Sequence, residues 1–368
     1  MSGTPNGGIL MGKQITTFLG ANTPAGFSSL FDELYNPYKS SGTAYIIKGG
    51  PGTGKSSLMR KVAVYAQSKG YDTECVICSS DPDSLDGLII PEKGICMADG
   101  TSPHVVEPQF PGAVENIINM GAFWDKKKLH EKADEIRALT IENSMYHRRS
   151  ARFLSAAGSV ADDMQRTLDA SINRDKINSF AVRFCSREMP KKKDCIPGKK
   201  IRRYISGITP KGLIFLDETV KALASRIIGI EDEYAAVSGI LTERIGECAI
   251  KNGYDVIFCR CPMKPKECSE HIIIPEVGLA VITMKAEHKT KLAADRLIHA
   301  KRFLDQGAVA SHKNRLSFNK KVSIELIEQS IAFLRKAKAV HDDLERCYIE
   351  NMDFAGINKF CDEFVKGL

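Results

Sequence analysis

The chain repeats itself at about half its own length. Ile89-Ile90-Pro91-Glu92-Lys93-Gly94 returns as Ile273-Ile274-Pro275-Glu276-Val277-Gly278, Gly70-Tyr71-Asp72 as Gly253-Tyr254-Asp255, and Cys78 as Cys261. Thr23-Pro24-Ala25-Gly26 answers Thr209-Pro210-Lys211-Gly212, and His104 falls opposite His288. The order is kept and the offset stays between 183 (253 minus 70) and 186 (209 minus 23), in a chain of 368 residues. Self-similarity at a fixed period fixes the architecture before any local reading does. Two copies of one α/β unit are expected, each followed by helices.

Composition narrows the class. An apolar content of 43% excludes a disordered chain. No uncharged apolar run approaches the roughly 18 residues of a membrane helix, and the opening lacks a secretory apolar block, so a cytoplasmic protein without membrane attachment is expected. Eleven cysteines, an odd number, then read as reduced thiols. A net charge of +7, from 52 basic and 45 acidic residues, permits an anionic partner without requiring one.

In the first copy, Ala44 to Lys48 is an apolar run suited to a buried strand, and a Gly/Pro-rich turn follows. Ser56 to Gln67 carries Leu58, Val62 and Ala66 at helical spacing and stops at Gly70. Glu74 to Cys78 and Gly94 to Ala98 are further strands, an order that predicts a doubly wound parallel sheet of the P-loop nucleoside triphosphatase kind. From Asp125 to about Arg187 the pattern is helical. Residues 189–203, broken by Pro190, Pro197 and Gly198 and rich in Lys and Arg, are expected to be a linker between domains 1–188 and 204–368.

The string Gly49-Gly50-Pro51-Gly52-Thr53-Gly54-Lys55-Ser56 has the form G-x-x-x-x-G-K-S between a predicted strand and helix. Its glycines let backbone N–H groups converge on a phosphate at a helix N-terminus. Lys55 can then reach β- and γ-phosphate oxygens, the Ser56 hydroxyl can ligate Mg²⁺, and Ser57 completes the nucleotide-binding segment. Asp99, ending the strand Ile95 to Ala98, is the expected metal-side carboxylate. The string Leu213-Ile214-Phe215-Leu216-Asp217-Glu218 also looks like a metal-side strand, of the AAA+ pattern, but lies opposite Ser28 to Glu33 in the repeat, upstream of the loop, and is rejected.

The second copy is an internal control. Asp232, Val237, Ser238 and Gly239 stand where Gly49, Gly54, Lys55 and Ser56 stand, and Thr283 falls opposite Asp99. Loop and carboxylate are lost together, as expected if both serve one ligand. Asp81, Asp83 and Asp86 align with Lys264, Lys266 and about Ser269, so that acidic loop also reads as lost. One of the three, Asp81 or Asp83 foremost, is expected to orient a nucleophile, bind metal or accept a proton.

Thr23 to Gly26, the loop at 49–56, the stretch 78–87, Ile90-Pro91-Glu92 and Asp99 to His104 together resemble a family of tandem P-loop proteins of Clostridium-like and Bacillus-like bacteria, described only as predicted ATP-binding proteins or ATPases. The resemblance implies ATP binding at 49–56 and leaves the substrate open. It also implies a usable second loop, from which Asp232 to Gly239 departs; a pseudo-nucleotidase is expected there.

Three functions follow as expectations: a Mg²⁺-dependent ATPase; a kinase for a small acceptor, with Arg148, Arg149 and Arg152 neutralising phosphate; and an ATP-driven nucleic-acid binder using Lys126–Lys128, Arg148, Arg149, Arg152, Lys191–Lys193, Lys199, Lys200, Arg202 and Arg203. Gly100, where AAA+ enzymes place a water-polarising Glu, argues against that branch. A protein partner or a homo-oligomer stays open. Cys259, Cys261, Cys268 and His271 have a spacing that can hold zinc, but two lie on one strand and small buried thiols are expected. His104 is a candidate phosphate contact, although its persistence as His288 favours a structural role.

Overall fold

The computed structural model describes residues 11–35, 42–102, 106–193, 196–265, 268–288 and 290–368. The first half builds β1 (Gln14–Thr17), β2 (Gly20–Thr23), β3 (Gly26–Ser29), α1 (Asp32–Tyr35), β4 (Thr43–Lys48), α2 (Lys55–Ser68), β5 (Thr73–Ile77), β6 (Leu85–Ile90), β7 (Ile95–Asp99), β8 (Glu115–Asn119), α3 (Lys126–Glu131), α4 (Ala133–Asp169) and α5 (Arg174–Glu188). The second half follows the same plan with β9 (Lys200–Arg203), β10 (Ser206–Thr209), β11 (Gly212–Phe215), α6 (Asp217–Leu223), β12 (Arg226–Glu231), α7 (Ser238–Lys251), β13 (Val256–Arg260), β14 (Ser269–Ile274), β15 (Leu279–Met284), β16 (Arg296–His299), α8 (Gln306–Ser311), α9 (Lys313–Ile349) and α10 (Phe354–Lys366). The duplication expected from the repeat is present.

Each half holds a six-stranded sheet, in the orders β1-β5-β6-β7-β4-β8 and β16-β12-β15-β14-β13-β9. Both sheets are mixed, which corrects the expectation of a parallel sheet: β6 and β14 run against both neighbours. Chain length forces this. Only residues 78–84 join β5 to β6, whereas a parallel crossover needs a dozen or more residues. The repeated Ile-Ile-Pro-Glu string is the next corner, a 3₁₀ turn closed by Gly94 at φ +62° or Gly278 at φ +58°.

A pseudo-twofold axis relates the halves. Phe18 and its counterpart Tyr204 exchange backbone hydrogen bonds (2.9 and 3.0 Å), and α4 and α9, each 37 residues long, pack antiparallel with Ser150 Oγ 2.7 Å from its counterpart Ser330 Oγ. The helical segment expected over 125–187 is α3 to α5, but it does not stay with its own sheet. Ile177, Phe184 and Cys185 of α5 are buried with Leu241 and Ile245 of α7 in the second half. Ile357 and Cys361 of α10 are buried with Leu58, Met59 and Val62 of α2 in the first. The halves have exchanged their terminal helices.

The expected linker is correspondingly tight. Met189 is fully buried, Gly198 N–H donates to Ile250 O, and residues 200–203 form the edge strand β9, parallel to β13. The second repeat thus begins near residue 198, with Gly198 answering Gly12, whose N–H donates to Gln67 O. Among the described residues no helix is long and apolar enough to cross a membrane.

Candidate functional site

The apolar strand β4 ends at Lys48, and the chain turns into α2 through the glycine string, with Gly52 at φ +67° and Gly54 at φ +83°. Both angles are left-handed, so the turn needs glycine. Residues Gly49 to Ser57 all line a cleft of about 940 Å³, together with Cys78, Ser80, Asp81, Ser84, Asp86, Asp99 and Thr101. The whole nucleotide-binding segment expected from the sequence, 49–57, and Asp99 are therefore at one cleft.

Lys55, 8% exposed, donates from Nζ to Gly49 O (3.1 Å) and Gly50 O (2.6 Å) and lies 3.5 Å from Asp99 Oδ2. Asp99 Oδ1 accepts from the Thr101 N–H (2.9 Å) and hydroxyl (2.5 Å), which leaves Oδ2 towards Lys55. The Ser56 hydroxyl accepts from Leu85 N–H at 2.9 Å. Hydroxyl and carboxylate oxygens are the hard donors that Mg²⁺ takes, so this set fits that ion. A Cβ on Gly100 would stand 2.5 Å from Ile46 Cγ2, so no glutamate can follow Asp99.

The three aspartates of the 78–87 stretch separate. Asp81 lines the cleft with its carboxylate 3.5 Å from Lys338 Nζ. Asp83 does not line it: its side chain is 74% exposed and pairs with Lys211, which holds its carboxyl below the ordinary range. Asp86, the least favoured from sequence, is 5% exposed and lines the cleft. Cys78 beside it is pushed well above the usual thiol value, first by burial and then by the Asp86 carboxylate, to which its S–H donates.

The far wall comes from α4 and α9, and its α9 residues were not foreseen. Thr140, Asn143, His147 and Arg148 of α4 and Lys338, His341, Glu345 and Tyr348 of α9 line it. The second half presses on the loop itself: a Cβ on Gly50 would meet Tyr348 at 2.7 Å, and one on Gly52 would meet Ile349 at 2.8 Å. The Glu345 carboxyl lies below its usual range because His341 hydrogen bonds to it, against the opposing effect of burial, with Lys338 and the Gly52 amide adding to His341. Burial, then His341, lowers His147 below the ordinary imidazole value. Of the expected arginines only Arg148 is brought in; Arg149 lies over the Phe333 ring, and Arg152 is not among the lining residues. His104 lies outside the described residues.

The second loop is closed by its own side chains. Asp232 Oδ2 accepts from Val237 N–H (2.8 Å) and Ser238 N–H (2.7 Å), the positions of Gly54 and Lys55. Ala235 keeps a left-handed φ of +52° where Gly52 has +67°. The expectation that the 81–86 acidic loop has no counterpart needs one correction: the strand register sets Glu270, not Ser269, at the position of Asp86. Glu270 pairs with Lys285 and sits 3.3 Å from His288 Nε2.

Metal chemistry in that half does not follow the cysteine spacing. Among the described residues the cluster able to approach one ion is Glu270, His271 and His288, without a thiol. His271 Nδ1 accepts from Thr283 N–H at 3.0 Å, so its proton is on Nε2, and a ligating histidine needs that nitrogen free. With that nitrogen protonated, His271 cannot complete the set, which does not fit a metal. The basic run at 199–203 is also structural in part, since Arg202 pairs with Asp32 and Glu33 and Arg203 with Glu74.

Compared with protein-family models, with curated proteins and with solved structures, the chain matches none. The site therefore rests on its own geometry: an α/β chain of two similar halves with one glycine-built cleft.

Proposed function

We propose that the first half binds a Mg²⁺-complexed nucleoside triphosphate, ATP in the first instance, and hydrolyses it. The observation that carries this reading is in the second half, where a loop of the same descent holds an anion, the Asp232 carboxylate, on two successive amides. The corresponding Gly54 and Lys55 open onto the cleft instead. Converging amides at a helix N-terminus favour a phosphate group, and Lys55, released from the loop carbonyls, gives a mobile charge for its outer oxygens. Bound Mg²⁺ would supply further neutralisation of phosphate charge, with Ser56 and Asp99 as the residues to hold it. Asp81, which lines the cleft, would be the residue to orient a nucleophile.

A second reading, phosphoryl transfer to a small acceptor, is favoured by the polar side chains that α4 and α9 bring to the cleft beside the loop. There His147, a cleft-lining imidazole, would be the group to take a hydroxyl proton, and Arg148 and Lys338 would balance an anionic acceptor.

The test is thermal stabilisation of the whole chain by Mg·ATP, for wild type and Lys55→Ala, followed by assay of ADP and phosphate. At ligand near 100 times Kd the wild type should gain about 2.7 kcal/mol and the variant little. ADP matched by free phosphate indicates hydrolysis, and phosphate captured by an added acceptor indicates transfer. A folded wild type without any shift overturns both readings.

A further inference from the structure

We propose that Ile349 and Phe354, both from the second half, form the seat for the base of the nucleotide whose phosphates lie on the loop. This rests on the Mg²⁺–nucleotide reading and deepens it.

The position follows from strand order. β4, which leads into the loop, lies between β7 and β8. Asp99 ends β7, so the metal it would hold, and the outer phosphates that metal bridges, belong on the β7 side. A nucleoside then leaves the loop on the β8 side. There β8 runs into a 3₁₀ turn, Met120–Phe123, and the chain between α9 and α10 lies along it. Asp125 N–H donates to Asn351 O and Asp353 N–H to Phe123 O, both at 2.9 Å. Ile349 ends α9 and Phe354 opens α10. A Cβ on Gly52 would stand 2.8 Å from Ile349 Cγ1, and one on Gly54 would stand 3.6 Å from Cγ2 of Ile357, one turn into α10. Ile349 and Phe354 both line the cleft and are 44% and 38% exposed.

The closed loop of the second half supplies the comparison. α4 and α9 correspond at an offset of 180 (313 minus 133), and α5 and α10 begin at the same offset (354 minus 174). Ile349 therefore answers Asp169, and Phe354 answers Arg174. The surroundings correspond as well, since Asn173 N–H donates to Phe303 O and Asp305 N–H to Ser171 O, again at 2.9 Å. Beside the closed loop the two positions pair with each other, Arg174 Nη2 lying 2.7 Å from Asp169 Oδ1. Beside the loop that keeps its glycines the same two positions are aliphatic and aromatic. Charged groups at such a rim are at ease in water, whereas an apolar pair at the mouth of a cleft marks a face for an apolar ligand group. A nucleotide base has a flat π-face that stacks on an aromatic ring whatever its edge groups are. The second half, having closed its own loop, thereby completes the site of the first.

The test uses the full chain and two probes that share a phosphate tail, adenylyl imidodiphosphate and inorganic tripolyphosphate, each with Mg²⁺. Wild type should bind the nucleotide more tightly than tripolyphosphate. Phe354→Ala should lose about tenfold or more of the nucleotide affinity and keep its affinity for tripolyphosphate. Phe354→Trp keeps a ring at the start of α10, so it should retain nucleotide affinity, and its indole emission, beyond that of wild type, should change with nucleotide and not with tripolyphosphate. The Trp variant also keeps the test decisive where the Ala variant does not fold. Unchanged nucleotide affinity in Phe354→Ala, an equal loss for both probes, or a Phe354→Trp emission that responds alike to both overturns the base seat and leaves phosphate binding on the loop intact. Wild type that does not bind the nucleotide overturns the nucleotide reading itself.

Discussion

Arg203, on the first strand of the second half, forms a two-point ion pair with Glu74 on β5 of the first, Nε to Oε1 at 2.5 Å and Nη2 to Oε2 at 3.1 Å. The side chains are 8% and 11% exposed, and Thr17 Oγ1 donates to the same carboxylate at 2.6 Å. Burial alone would raise the Glu74 carboxyl, but Arg203 outweighs it and holds the group below its ordinary range. A group whose folded value is depressed stabilises above its unfolded pKa, about 4.3, and loses that contribution as pH falls through the folded value. Urea unfolding should therefore show stability falling below about pH 4. Glu74→Gln should cost about 3 kcal/mol at pH 7, because it strands a buried guanidinium, and should flatten the acid limb. An unchanged acid limb would separate this pair from the pH response.

The hydroxyl pair at the pseudo-axis gives a second expectation. Ser150 and Ser330 are both buried and face each other at 2.7 Å in the crossing of α4 and α9. Replacing either by Ala leaves one buried hydroxyl without its partner, at a cost of about 1–2 kcal/mol. Replacing both removes the need. The double variant should thus be less destabilised than the sum of the singles by about 1 kcal/mol, a coupling that denaturant melts of the four proteins measure directly.

What the sequence disclosed of this architecture was local. Strand β4, the glycine string and α2 each have a short-range signature, and all nine residues from Gly49 to Ser57 line the cleft. The repeat exposed the loss of the second loop, because an aligned Asp232 in place of Gly49 needs no coordinates to be seen. Strand direction was hidden. Leu85 to Ile90 is buried on both faces, so it has no alternation to read, and its antiparallel run depends on the length of the preceding turn. Glu345, Tyr348 and Lys338 were illegible for another reason: they approach the loop from nearly 300 residues away, through a helix exchange that no local pattern encodes. In the basic stretch at 199–203, Arg202 and Arg203 were hidden as ion-pair partners because charge reads as solvent exposure, whereas they meet Asp32, Glu33 and Glu74.

Helix exchange also predicts that the halves are not separable at the expected boundary. A chain of residues 1–188 keeps α5 without the α7 surface that buries Phe184 and Cys185, and leaves Leu58, Met59 and Val62 without Ile357 and Cys361 of α10. Two apolar faces are then exposed, and burying a large aliphatic or aromatic side chain contributes about 1.5–3 kcal/mol each. Residues 1–188 alone should lack a cooperative thermal transition, while co-expression with residues 189–368 should restore one. A cooperative melt of residues 1–188 by itself would mean that the exchange contributes little.

The loop glycines make the last prediction, and the two halves give it opposite signs. Gly52 has φ +67°, and an added Cβ would stand 2.8 Å from Ile349 Cγ1 and 3.0 Å from Glu345 O. Gly52→Ala should therefore combine backbone strain with a push against α9, costing about 2 kcal/mol, of which the left-handed angle accounts for about 1. Its counterpart Ala235 already bears that strain at φ +52°. There Ala235→Gly relieves the angle at the expense of a freer unfolded chain, and the relief is the larger effect, so a gain of up to about 1 kcal/mol is expected. Thermal melts should move down for Gly52→Ala and up for Ala235→Gly. Shifts of the same sign would mean that the second loop does not retain the backbone path of the first.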